Sequence, residues 1–239
     1  MNEALLRLRS LLIWIFVFPI FIVGISAIFL TALVYRGPRL ESLIKAVSRI
    51  ILFSVGIRLQ TRGRENFDPA SRYIVVMNHV NFFDPFVFFA AFPGPARGME
   101  EEKHFRWPLY GAMLRRIGMV PVDRGHRLRA RESLKRAAGL IRARPGFSFT
   151  VMAEGTRTRD GKLGPFKRGA FILAAEAGLD ILPMAQIGAG RINRKGSRLI
   201  RPGQIDIVIG PPISPDGATR ENHEEFLERT RAWFLRYVD

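Results

Sequence analysis

Cysteine is absent from this chain, which excludes disulfides, a cysteine nucleophile and thiolate metal sites together. Histidine is scarce. Its four copies, at positions 79, 104, 126 and 223, include no i, i+4 pair of the kind that builds a zinc-binding helix, and no metal is expected. Acid is in deficit: 21 Asp and Glu face 37 Lys and Arg, a formal net charge of +16. Such a field attracts nucleic acid, anionic lipid headgroups or phosphorylated small molecules. No recognised nucleic-acid motif accompanies the charge, so no nucleic-acid partner is expected. A basic, non-catalytic module binding anionic lipid or nucleic acid is the rival class. No repeat or low-complexity tract interrupts the 239 residues, a length that suits one α/β domain with an appendage.

What the chain does have is a long apolar segment near its start. Residues 11–35 carry no charge, and a helix of that length runs about 37 Å at ~1.5 Å per residue, enough to cross a ~30 Å hydrocarbon core. A cleaved signal peptide fits poorly, because the run is too long and no small-residue cleavage site precedes an ordinary mature start. Pro19 and Gly24 are candidate break points. The flanking arginines 7 and 9 balance 36 and 39, leaving both crossing and one-leaflet insertion open. Residues 40–59 have apolar side chains at helical spacing and predict an amphipathic helix on the membrane or on the domain. The organisation expected is therefore 1–60 as membrane-attachment helices and 61–239 as an α/β domain entered through a polar loop at 61–71.

Beyond that loop, apolar runs and amphipathic stretches alternate. Strands are predicted at 73–78, 118–122, 147–152, 181–187 and 204–209, and helices at 85–91, 107–117, 130–143, 168–177 and 221–237. The alternation argues an α/β fold, a mixed, largely parallel central sheet flanked by helices. Glu100, Glu101 and Glu102 form the one acidic run and read as a solvated face.

Candidate chemistry begins where the first of these strands ends. His79 is followed five positions later by Asp84, placing a general base and a carboxylate able to orient it on one turn at a strand's C-terminal end, where open α/β sheets keep their sites. A second reading is available from the same residues. Asp84-Pro85 is a common helix start, with the aspartate as N-cap and His79 as filling.

Three later segments add to the first. Asp123-Arg124 ends the strand at 118–122, Glu154-Gly155-Thr156-Arg157 follows the strand at 147–152, and Pro183 lies within a further strand. In this order and spacing, the four blocks resemble the glycerophospholipid acyltransferases, most closely the 1-acyl-glycerol-3-phosphate acyltransferases. The resemblance covers most of residues 73–210. It implies that His79 is the base and Asp84 its orienter, that Arg124, Glu154, Gly155, Thr156 and Arg157 bind the acceptor phosphate, and that Pro183 belongs to the acyl-donor side. Lys167, in the basic continuation 164–169, joins the binding set. Asn81 stands where the family commonly has serine, Ala153 where it has proline, and Thr158 where it has serine; none of these removes a titrating group.

The chemistry this implies is transfer of a fatty acyl chain from a thioester, acyl-CoA or acyl-acyl carrier protein, to the free hydroxyl of lysophosphatidic acid. No permanently bound cofactor is implied. Neutral imidazole near pH 7 suits removal of the hydroxyl proton, with Asp84 holding Nδ1–H and leaving Nε2 toward the alcohol. The lack of cysteine, and of serine close to His79, favours direct attack in a ternary complex. Glu154 is expected to orient the arginines or bind a glycerol hydroxyl. A lyso-ornithine lipid or glycerol-3-phosphate is the alternative acceptor. Both acceptor and product are membrane lipids, so attachment to a membrane is expected, in a bacterium the cytoplasmic membrane with the catalytic domain facing the cytoplasm.

Overall fold

The computed structural model describes residues 3–123, 125, 127–143, 146–219 and 222–238. Its helices are α1 (Glu3–Val34), α2 (Pro38–Ser54), α3 (Asp84–Ala91), α4 (Pro108–Ile117), α5 (Arg127–Ala143), α6 (Gly169–Ala177), α7 (Ala189–Ile192) and α8 (Glu224–Phe234). Its strands are β1 (Ile57–Arg62), β2 (Ile74–Met77), β3 (Ala96–Glu101), β4 (Val120–Val122), β5 (Ser148–Met152), β6 (Ile181–Ile187) and β7 (Gly203–Ile209). They form a seven-stranded sheet in the order β1-β7-β6-β2-β5-β3-β4. Every pairing is parallel except β6 with β7, so the sheet is mixed and largely parallel.

β2 is central, and its four residues Ile-Val-Val-Met are all buried, as expected of a strand covered on both faces. Alternate residues serve the two faces. Val75 and Met77 join Leu182 and Met184 in a core shared with α1, α2, α3 and α4, while Ile74 and Val76 pack with residues of α5, α6 and α8. Register then positions the loops. Met77 lies opposite Met152 of β5 and Met184 of β6, so the residues two past these three, His79 and Glu154 beyond their strands and Gln186 still within β6, stand level.

Two strands depart from expectation. β1 occupies the end of the predicted 40–59 helix and the start of the predicted loop; its Ile-Arg-Leu-Gln-Thr-Arg alternates buried or half-buried with exposed, the pattern of a sheet-edge strand. β3 contains Glu100 and Glu101 from the acidic run. Its acids sit half-buried and partnered, Glu100 with His104 Nδ1 at 2.8 Å and Glu101 with Lys103 at 2.7 Å.

α1 runs unbroken through Pro19 and Gly24. Gly24 is where α1 and α2 cross, since an added Cβ would lie 2.5 Å from Val47 Cγ1. One stripe of α1, from Leu6 through Val17, Ile25 and Ile28 to Ala32, is buried against the domain, and the opposite face leaves Leu8, Leu12, Phe16, Val23, Leu30 and Val34 exposed. Both ends are pinned to that domain. Ser10 Oγ accepts from Ile200 N at 3.0 Å and Trp14 Nε1 donates to Arg198 O at 2.8 Å near the start, while Arg116 donates to Ala32 O and Leu33 O at 2.7 and 2.8 Å near the end.

Candidate active site

The turn after β2 is built around Asp84. This aspartate opens α3, yet its carboxylate does not cap that helix; it points back into the preceding turn. Oδ2 accepts from Val80 N at 2.6 Å and Asn81 N at 3.2 Å, and Oδ1 from Asn81 N at 3.0 Å. The remaining contact of Oδ2 is His79 Nδ1 at 2.6 Å. With Asp84 fully buried and the His79 side chain 12% exposed, the carboxylate is sealed and the imidazole retains an open side. An ionised carboxylate receives the Nδ1 proton, which makes Nε2 the nitrogen free to take one. Between the base-and-orienter and the N-cap readings, this geometry favours the former.

Neighbouring strands brace the turn. Asn78 and Gln186 exchange three hydrogen bonds: Asn78 Nδ2 to Gln186 O (3.0 Å), Gln186 N to Asn78 Oδ1 (2.8 Å) and Gln186 Nε2 to Asn78 O (2.9 Å). Asn81 bridges its own turn and α7, donating to Ala189 O at 2.9 Å and accepting from Phe83 N at 2.8 Å. Thr158 N donates to His79 O at 2.9 Å, tying the loop after β5 to the histidine.

Glu154 sits inside this frame, held by backbone amides. It is buried, its Oε2 accepts from His79 N at 2.9 Å, and among the described residues it forms no ion pair. Burial pushes its carboxyl up to about 7; the amides of His79 and Gly164 oppose that rise and the Asp84 charge adds to it. A group whose native value lies above its unfolded one binds the extra proton in the folded state. Its contribution to stability is complete below the unfolded value of 4.5 and is lost as pH rises through about 7. Relative to Glu154→Gln, the wild-type protein should therefore lose on the order of 3 kcal/mol of stability between about pH 5 and about pH 8. Thermal melts of both proteins at the two pH values check this, and a pH-independent gap in Tm would refute it.

The other sequence candidates divide. Gly155, Thr156 and Arg157 follow Glu154 in the same loop, and Gly155 adopts a left-handed φ of 66° close to the Lys167 side chain. Lys167 is exposed and anchored to the loop by its backbone, N to Ala153 O at 2.8 Å. Arg157 is half-buried and makes no side-chain hydrogen bond to a described residue. Pro183 lies in the sheet interior opposite Val76, and its carbonyl accepts from Gly210 N, so its place in the structure is the β2-β6-β7 junction. Arg124 lies outside the described residues. The strand before it, β4, is parallel to β3 and ends at the same sheet edge, three strands from β2 or roughly 14 Å at ~4.8 Å per strand.

Two contributors escape sequence reasoning. Gln186 is recognisable only once β6 is placed in register with β2. Lys195, 39 residues beyond Thr156, donates from Nζ to its Oγ1 at 2.9 Å, bringing the basic 191–201 segment to the Glu-Gly-Thr-Arg loop. Two hollows lie near the turn: an apolar cleft against the start of α3, lined by Phe21, Ile25, Ile51, Pro85, Phe86 and Tyr110, and a polar cavity that includes Val80 and Thr158. Among the described residues no three His, Asp or Glu side chains form a cation site.

Comparison with known proteins identifies the family and the fold. A profile of the family described as Acyltransferase matches residues 58–187. The 1-acyl-sn-glycerol-3-phosphate acyltransferase of Limnanthes douglasii is 28% identical over 190 residues, 80% of this chain and 66% of that protein. The Pseudomonas aeruginosa protein of the same name is 30% identical over 179 residues, 74% of this chain and 68% of that one. This chain thus spans just under two thirds of the Limnanthes relative. The crystal structure of the 1-acyl-sn-glycerophosphate acyltransferase PlsC from Thermotoga maritima shares the fold, with a TM-score of 0.75 at 22% identity over 96% of this chain and 97% of that one.

Proposed function

The chain belongs to the acyltransferase family, and we propose that it acylates the free hydroxyl of 1-acyl-glycerol-3-phosphate from an acyl thioester, forming phosphatidic acid. The observation that carries this reading is the His79–Asp84 pair: a sealed carboxylate 2.6 Å from Nδ1 of an imidazole whose side chain stays 12% exposed. Attack by the acceptor hydroxyl on the thioester carbonyl requires its proton to leave as the C–O bond forms. Nε2 takes that proton, Asp84 stabilises the imidazolium, and the proton is then available to the departing thiolate. Arg157 supplies a planar fork for the acceptor phosphate, joined by Lys195 and Lys167 near the same loop, while Arg124 follows β4. The apolar cleft behind Pro85 and Phe86 takes acyl carbons. Glu154 acts through His79 by holding its backbone N–H.

The experiment is a panel of acceptors given to the purified protein with one acyl-CoA: lysophosphatidic acid, glycerol-3-phosphate and a lyso-ornithine lipid. Acylation of lysophosphatidic acid is the expected result, and Arg157→Ala should raise its KM about 10-fold or more with a smaller change in kcat. Acylation of another lysolipid alone would overturn the substrate assignment.

Membrane attachment follows from α1. A helix pinned to one domain at Ser10 and again at Ala32, about 33 Å apart at ~1.5 Å per residue, cannot place its ends on opposite sides of a bilayer. We therefore assign its exposed apolar face to one leaflet. Because the native chain has no cysteine, Arg7→Cys and Arg36→Cys report topology directly. An impermeant thiol reagent should label both from the same side of sealed vesicles; labelling from opposite sides would show that α1 crosses.

A further inference from the structure

The polar cavity beside the His79 turn has a volume of about 260 Å³ and a graded lining. Its lining includes Val80, next to His79, and Gln186, which is 1% exposed. Its rim carries Arg159, Arg191 and Arg194, all exposed, with no side-chain hydrogen bond or ion pair to a described residue. The lining is stripped of side chains at Gly161, Gly188 and Gly190; Gly188 turns the chain after β6 at a left-handed φ of 84°. Tyr237 and Val238, beyond α8 on the sheet face opposite α1 and α2, complete the rim.

We propose that this cavity holds the 4′-phosphopantetheine arm of the acyl thioester, with its phosphate among Arg159, Arg191 and Arg194 and its thioester end toward Val80 and His79. The proposal rests on the thioester reading above and deepens it. The lining is net basic, three guanidiniums without a described partner against the one carboxylate of Asp160, which selects an anionic guest. Further in, the lining reaches Val80, the residue after His79, so the guest's reacting end must lie well away from its charge. Phosphopantetheine is built that way, with its thioester and its phosphate at opposite ends. The acceptor is not, since its phosphate lies only a few bonds from the hydroxyl that must meet Nε2.

The test compares acyl-CoA, acyl-acyl carrier protein, acyl-4′-phosphopantetheine and acyl-pantetheine, all with one acyl chain, in the wild-type protein and in the Arg191→Ala/Arg194→Ala double variant. Removing the phosphate from the donor should lower wild-type kcat/KM about 10-fold or more. The double variant should lose the same factor on phosphorylated donors through donor KM, lose nothing more on acyl-pantetheine, and keep its acceptor KM. A loss on both acyl-CoA and the carrier protein places the shared phosphate at the arginines; a loss on acyl-CoA alone overturns that in favour of its nucleotide. Equal losses on all four donors, or a defect in acceptor KM or in binding to anionic vesicles with donor KM unchanged, also overturn the proposal. Calorimetric titration of free CoA without acceptor separates this site from the identity of the acceptor: binding that the double variant abolishes supports the cavity even where lysophosphatidic acid is not acylated, and no wild-type binding counts against it.

Discussion

Replacing His79 with alanine is expected to lower acyl transfer at least ~100-fold while leaving the fold intact. The two halves of this expectation have separate causes. The imidazole is the group that takes the hydroxyl proton, and alanine leaves nothing at that position to replace it. The fold survives because the structural contacts of residue 79 belong to its backbone: its N–H donates to Glu154 Oε2 and its carbonyl accepts from Thr158 N. The side chain contributes one hydrogen bond, to Asp84, whose carboxylate keeps the amides of Val80 and Asn81. Initial rates and thermal melts of the two proteins give the check. A basic module that only binds anionic lipid would keep its activity in the variant, so a retained rate would remove the enzymatic reading of this turn. Loss of rate together with collapse of the melting transition would instead mean that the histidine supports the fold.

The two kinds of signal in the sequence had different reach. Where a strand was buried on both faces, as in Ile-Val-Val-Met of β2 and Ile-Leu-Pro-Met-Ala of β6, an apolar run was enough to place it. β1 and β3 carry exposed arginines and paired glutamates, because an edge strand and a strand balanced by ion pairs need little hydrophobicity; periodicity could not separate them from a helix end and a solvated run. The site shows the same division. His79 and Asp84 were legible because five residues suffice to close the turn that joins them. Glu154 was legible as a member and not in its role, since only the register of β2 against β5 brings its carboxylate to the His79 amide. Gln186 and Lys195 reach the site through β6 and the loop beyond it, contacts 108 residues from Asn78 and 39 from Thr156. No local pattern encodes distances of that kind.

Asp84 separates orientation from chemistry, and its two substitutions should fail differently. In Asp84→Asn the position that accepts from Val80 N is also the one that faces His79 Nδ1, so an oxygen kept there puts the new amide nitrogen at the other position, against Asn81 N. Nδ1–H then bonds a neutral carbonyl, and the imidazolium that forms as the hydroxyl proton is taken loses its counter-charge. The asparagine variant is therefore expected to lose about 100-fold in kcat with a smaller loss of stability, since Asn81 N keeps only the longer of its two bonds. In Asp84→Ala the amides of two consecutive residues lose their acceptor in a site that is 0% exposed. At ~1–3 kcal/mol for each unsatisfied group, that change should cost a few kcal/mol of stability in addition to the rate. The pair is tested by combination: His79→Ala and Asp84→Asn together should be scarcely slower than either alone, because an orienter has nothing to act through once the base is gone. Losses that multiply in the double variant would mean that Asp84 contributes to the reaction independently of His79, and the carboxylate would then need a role at the substrate itself.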